Sequence, residues 1–138
     1  MWSRREVVDY SLQRRATLES WRRTSRAVRA DVCDAEPILI RSALHHGTEV
    51  DTPCPICDHE RMSHLNYVFG DQLGQYSGRI RSTVELEDMQ DEFGEFKVCV
   101  VEVCTECGWN HMIMAYLLGD GHKRKPPRRR KTVEDIYG

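Results

Sequence analysis

The sequence predicts an α+β fold in which helices precede a small antiparallel sheet, and three observations point to it. The N-terminal region carries helix-start grammar, residues 96–103 read as a strand, and two C-x-x-C pairs bracket the strand-rich half. The first element opens with Ser3 followed by Glu6, a capping box in which each side chain satisfies a backbone N–H of the first turn. Trp2 and Val7 stand where a hydrophobic staple would place them. At helical spacing Val7, Tyr10, Leu18, Trp21, Val28 and Val32 form an apolar seam, interrupted by Arg14 and Ser25. Arg4, Arg5, Arg15, Arg22, Arg23, Arg26 and Arg29 fall on a separate arc, so a single helix over residues 4–32 would carry an arginine ridge. A break at Thr24-Ser25 would dissolve that ridge.

A second helix is expected from Asp34 as N-cap to a stop before Gly47. Pro37 is tolerated in its first turn, and Ile38, Leu39, Ala43 and Leu44 would pack on the first helix. Residues 48–53 read as a linker, residues 62–69 as a strand, and residues 70–78 (GDQLGQYSG) as a glycine-punctuated loop. Ser82 with Glu85 forms another capping box, opening a short helix with Leu86, Met89 and Phe93 on one side and Gly94 as its stop. Residues 96–103 form the clearest strand, with Cys99, Val101 and Val103 on one face and Val98 and Val100 on the other. Residues 111–118 offer a hairpin partner, although an apolar run does not by itself separate strand from helix. The run HKRKPPRRRK over residues 122–131 leaves nothing to bury and is expected to be extended. The expected organisation is therefore a helical arm (residues 1–50), a ribbon domain (51–121) with an inserted loop and helix (70–95), and a basic tail (122–138).

The cysteines carry the strongest chemical signal. Cys54-Pro55-Ile56-Cys57 and Cys104-Thr105-Glu106-Cys107 each form a tight turn whose thiolates converge, and two such turns supply the tetrahedral sulfur set that suits Zn²⁺. Gly108 lets backbone N–H groups turn towards the sulfurs. The first knuckle precedes a strand and the second lies between two strands, which is the layout of a zinc ribbon. A redox dithiol is the rival, but such motifs follow a buried strand, whereas residues 46–52 are polar. A zinc deaminase fails because His46 and Glu49 lack the H-x-E spacing and Glu49 lies only four residues before Pro53. A four-thiolate set closes the coordination sphere, so the site is expected to be structural. Cys33 and Cys99 read as small buried hydrophobes, and His59, His64 and His111 as residues around the site rather than ligands. His45 and His46 suit a helix C-terminus and need no further role.

The chain of 138 residues has a formal net charge of -2, and that figure is a cancellation. Residues 1–32 carry net +4, residues 33–121 net -11, and residues 122–138 net +5. Any contact with a polyanion should therefore come from the ends: Arg15, Arg22 and Arg26 at one, and Lys123, Arg124, Lys125, Arg128, Arg129, Arg130 and Lys131 at the other. Tyr76 with Arg79 and Arg81 offers a second possible contact, stacking on a base and reaching phosphates, or docking a protein. Trp109 is expected to cover the sulfurs. Glu85, Glu87, Asp88, Asp91 and Glu92 read as a solvated helix face, and no nucleophile–base constellation emerges, so no enzymatic activity and no small-molecule substrate are expected. The longest apolar run, residues 112–118, is too short to span a membrane, and no apolar segment follows Met1 as in a secretory signal. A cytoplasmic location is the expectation.

The segments Trp2-Ser3-Arg4-Arg5-Glu6-Val7-Val8, Leu65-Asn66-Tyr67-Val68-Phe69-Gly70-Asp71-Gln72-Leu73-Gly74-Gln75-Tyr76-Ser77-Gly78-Arg79 and Cys104-Thr105-Glu106-Cys107-Gly108-Trp109-Asn110-His111 resemble an uncharacterised actinobacterial family of small zinc-ribbon-like proteins, a domain of unknown function. That resemblance implies a cytoplasmic bacterial protein and carries no activity with it. The knuckles also look like the zinc ribbons of transcription and translation proteins, an analogy of fold alone. Together these readings lead to a non-enzymatic zinc-ribbon module contacting RNA, DNA or a ribonucleoprotein or transcription complex. The alternatives are a protein–protein adaptor without nucleic-acid contact and, more remotely, a thiol-redox protein.

Overall fold

A computed structural model describes residues 4–23 and 32–122. The first ordered element differs from the expected helix: Arg5–Asp9 form a strand, β1, before helix α1 (Ser11–Arg23) begins. The physical reason is tertiary. The valines Val7 and Val8 favour extended backbone, and β1 covers the outer edge of the last strand, β6 (Asn110–Leu118), whose backbone groups would otherwise stand unpaired. Tyr10 N–H continues that pairing by donating to Ile113 O at 3.1 Å. Asp9 then accepts from Ser11 N–H at 2.7 Å and starts the helix. Ser3 lies outside the described residues, so the capping box predicted on it has no observed counterpart.

Helix α2 (Pro37–His46) stops before Gly47 as expected but starts two residues later than an Asp34 cap would place it, with Pro37 in its first turn. It packs on the sheet, not on α1: Ala43 and Leu39 sit over Leu65 and Val103, while Ile38 and Leu44 remain more than 60% exposed. Asp34 does not cap the helix, since Glu36 holds the N-cap position without a side-chain bond. Strands β2 (Thr48–Val50), β3 (Met62–Phe69), β4 (Arg79–Ile80), β5 (Phe96–Val103) and β6 join β1 in one antiparallel sheet. Its order is β1-β6-β5-β3-β2, with β4 also paired to β3. The residues read as a linker thus contain a short strand, because β2 pairs with the start of β3 from Thr48 opposite His64 to Val50 opposite Met62. Residues 111–118 resolve as strand, since β5 supplies a continuous ladder from Phe96 opposite Leu118 to Val103 opposite Asn110.

The segment between β3 and β5 lays a 3-10 turn (Asp71–Tyr76) and helix α3 (Thr83–Glu92) on one face of the sheet. Leu73, Leu86 and Met89 bury there against Val68, Val98, Phe96, Tyr116 and Leu118. The predicted capping box is present: Glu85 N–H donates to Ser82 Oγ at 3.2 Å and Ser82 N–H to Glu85 Oε1 at 3.0 Å. The Ser82 backbone N–H, aided by its hydroxyl, Arg81 and His46, holds the Glu85 carboxyl below its ordinary 4.5. A depressed folded-state pKa stabilises above the unfolded value and loses that effect as pH falls through the folded one. Ser82→Ala is expected to cost about 1 kcal/mol at neutral pH. Glu85→Gln should show a deficit at pH 7 that shrinks as pH falls below the ordinary 4.5, as thermal melts across that range would read.

Candidate metal centre

The two C-x-x-C turns have the same local construction. In the first, Asp58 N–H donates to Cys54 O at 3.1 Å and Cys54 N–H to His59 O at 2.9 Å. In the second, Gly108 N–H donates to Cys104 O at 3.0 Å and Cys104 N–H to Trp109 O at 2.8 Å. Each turn needs a positive φ after its second cysteine, supplied by Asp58 at 67° and Gly108 at 91°. Aspartate is one of the few residues that tolerates this region, which is why only one knuckle carries the expected glycine. The first turn ties β2 to β3 and the second ties β5 to β6, so pairing of β3 with β5 brings the two together at one end of the sheet.

There the sulfurs of Cys54, Cys57, Cys104 and Cys107 all lie within 4.8 Å of one another. Cys54 and Cys107 are 3.6 Å apart at Sγ, as are Cys57 and Cys104. A tetrahedron of sulfurs at about 2.3 Å from a central ion has edges of about 3.8 Å, so the set can hold a tetrahedral metal ion. Backbone N–H groups point at the sulfurs, among them Ile56 N–H to Cys54 Sγ at 3.4 Å. Cys54 and Cys104 are buried, while Cys57 and Cys107 are partly exposed beside Asp58, His59, Glu60 and Glu106. Burial pushes the Cys54 thiol up to about 11 and raises Cys107 as well. Cys57 is desolvated too, yet hydrogen bonds from His59 N–H and the neighbouring sulfurs bring it below its ordinary value. A divalent ion would supply the positive charge that thiolates at these positions need.

The centre is roofed by α1. Leu18 and Trp21 pack against Cys54, Cys104, Ile56, Met62 and Trp109, so the apolar seam predicted from Leu18 and Trp21 is used against the cysteines. Trp109 is 1% exposed inside this cluster and stacks on His111 at 5.9 Å, which places it as a cover and not as a platform for bases. Its indole N–H donates to Glu102 Oε1 at 3.0 Å, and Arg14 donates to the same oxygen. Arg14, the interruption in the seam, thus reaches inward to a buried carboxylate. His64 stands opposite Glu102 on β3; desolvation lowers its pKa, with Glu102 opposing. Sequence reasoning missed this cluster, although a glutamate within a valine-rich strand and an arginine on an apolar helix face were its traces.

The remaining candidates are placed unequally. Tyr76, Arg79 and Arg81 do come together, with guanidinium carbons 5.2 and 5.8 Å from the Tyr76 ring. Arg81 also lies 3.9 Å from Glu85. Arg15 and Arg22 are exposed two turns apart on α1. Arg26, Lys123, Arg124, Lys125, Arg128, Arg129, Arg130 and Lys131 lie outside the described residues. Cys99 is buried in β5 as expected, whereas Cys33 is only partly buried and places its Sγ 3.3 Å from that of Cys107.

The model of a family of unknown function, DUF5318, matches residues 1–132. The chain belongs to this family. DUF5318 membership agrees with the resemblance to an uncharacterised actinobacterial family, since similar proteins come from mycobacteria. The chain is 42% identical over 121 residues to the uncharacterized protein Rv0049 of Mycobacterium tuberculosis, covering 88% of each chain. The uncharacterized protein Mb0050 of Mycobacterium bovis is similar to the same extent. No solved structure matches this DUF5318 chain. Among its described residues no helix is long and apolar enough to cross a membrane.

Proposed function

We propose that this DUF5318 protein is a non-enzymatic zinc ribbon that serves as an accessory factor, contacting a nucleic-acid machine such as RNA polymerase or the ribosome through its basic ends. The observation that carries the metal reading is the pair of matched knuckles closing four sulfurs around one point. Four thiolates favour zinc over harder cations and leave no open coordination position, which suits a structural role.

Charge placement supports the second half. Most arginines of the body face acids or rings: Arg5 meets Glu95, Arg14 meets Glu102, Arg61 meets Glu49 and Asp51, and Arg4 lies over Tyr116. The knuckle tips are acidic, so a polyanion is repelled there and drawn to α1 and to the segment after His122. Helix α1 packs at the Trp109 end of β6, whereas Gly121, just ahead of the basic run in sequence, bonds back to Gly94 beyond Leu118 at the other end. An extended partner such as a single strand could engage both.

Titration of the full chain against fluorescent RNA and DNA tests this. Binding should weaken steeply with salt, and deleting residues 122–131 or reversing Arg15 and Arg22 to Glu should cost roughly tenfold or more at low salt. Absence of binding at low salt would overturn the polyanion reading. A protein-binding adaptor is the second reading, favoured by the groove of about 450 Å³ in which Arg81, Glu85, Asp88 and Glu92 surround Tyr76, Met89 and Phe93. Capture of a partner that survives nuclease treatment and depends on these side chains would select it.

A further inference from the structure

We propose that Cys33 and Cys107 form a hydroperoxide-responsive thiol pair whose oxidation releases the metal; this rests on the zinc reading above. Asp34 and Ala35, just ahead of α2, strap the chain to the second knuckle by two bonds. Ala35 N–H donates to Gly108 O at 3.0 Å, and Asn110 Nδ2 donates to Asp34 Oδ1 at 3.0 Å. Gly108 permits the close approach, since a methyl group there would stand 3.1 Å from Cys33 O. The strap holds Cys33 Sγ 3.3 Å from Cys107 Sγ, nearer than the 3.6 Å that separates Cys107 from Cys54.

Cys33 is outside the set of four mutually close sulfurs, and a tetrahedral ion needs only those four. The chain therefore places a fifth thiol against one member of the set. Cys107 also lines a solvent-open depression of about 560 Å³ with Cys57, Asp58, His59, Glu60 and Glu106. A small neutral oxidant such as hydrogen peroxide can enter there, whereas the acidic rim disfavours anionic thiol reagents.

The chemistry balances without further reagents. The Cys107 thiolate attacks one peroxide oxygen, forming an S–O bond and breaking O–O, and the departing hydroxide takes a proton and leaves as water. Cys33 Sγ then attacks the Cys107 sulfenic sulfur; the S–S bond forms, S–O breaks, and the leaving hydroxide departs as water with the Cys33 proton. One thiolate and one thiol lose two electrons, and one peroxide with one proton from solvent becomes two waters. Closure asks the sulfurs to approach by about 1.2 Å. The three remaining thiolates no longer complete the tetrahedron, and a dithiol reductant reverses the step.

The test uses the full chain purified with zinc, hydrogen peroxide as oxidant, a chromogenic chelator to read zinc release, and peptide mass mapping to read the disulfide. Wild type should release zinc together with a Cys33–Cys107 crosslink, and reductant plus zinc should restore the starting state. Cys33→Ser should still hold about one zinc per chain but release it roughly tenfold more slowly, with no such crosslink. Equal release rates in the two proteins, or a disulfide that omits Cys33, would overturn the proposal and leave the metal reading standing. A chain that takes up no zinc before oxidation overturns the metal reading and the proposal with it.

Discussion

Replacing Cys104 with alanine is expected to abolish stoichiometric zinc binding and to unfold the cysteine end of the molecule. Cys104 is fully buried, so its loss leaves a gap inside the cluster formed by Leu18, Ile56, Met62 and Trp109. Apparent binding energies of structural zinc reach about 10–16 kcal/mol in small zinc-dependent folds, so a loss of at least about 5 kcal/mol is expected here. The loss should be local. The apolar cluster beneath α3, built on Val68, Leu86, Phe96 and Val98, shares no buried residue with the cysteine cluster. Hydrogen exchange after chelation should therefore expose the Asp58 and Gly108 amides while those of Val68 and Val98 stay protected. Acid should act in the same direction. With burial raising Cys54 to about 11, its proton must be displaced by the metal, so affinity falls as pH falls.

Glu102→Ala should be the most damaging substitution away from the cysteines, at about 3–5 kcal/mol by urea unfolding. The carboxylate is 4% exposed and accepts from both Arg14 and the Trp109 indole. Its removal leaves the Arg14 guanidinium facing an apolar cavity and the buried indole N–H without an acceptor, and the latter alone costs about 1–3 kcal/mol. Arg14 is 27% exposed, so water relieves part of its charge and keeps the sum within this range. Combining Arg14→Met with Glu102→Met should recover roughly half, because the charge is then gone but the indole remains unpaired. Full additivity of the two single changes would mean that the pair is not coupled.

Where spacing or local hydrogen bonding decides the structure, the sequence was sufficient. Strands β3 and β5 keep their predicted limits, the Ser82–Glu85 box starts α3, and the four cysteines are found together. In each case the information is local: alternation, a reciprocal cap, or two tight turns whose thiols must converge. What the tertiary structure decided is non-local. Residues 5–9 became a strand because an edge of β6 needed partners, and α2 turned to the sheet because Leu65 and Val103 needed cover. Arg14 faces inward because Glu102 lies buried in β5, and Cys33 meets Cys107 because a strap crosses 74 positions of sequence to reach the second knuckle. A sequence read along its length shows which residues suit a helix, a strand or an ion. Which backbone edge is left open, and which buried charge is left to neutralise, exists only once distant segments have met.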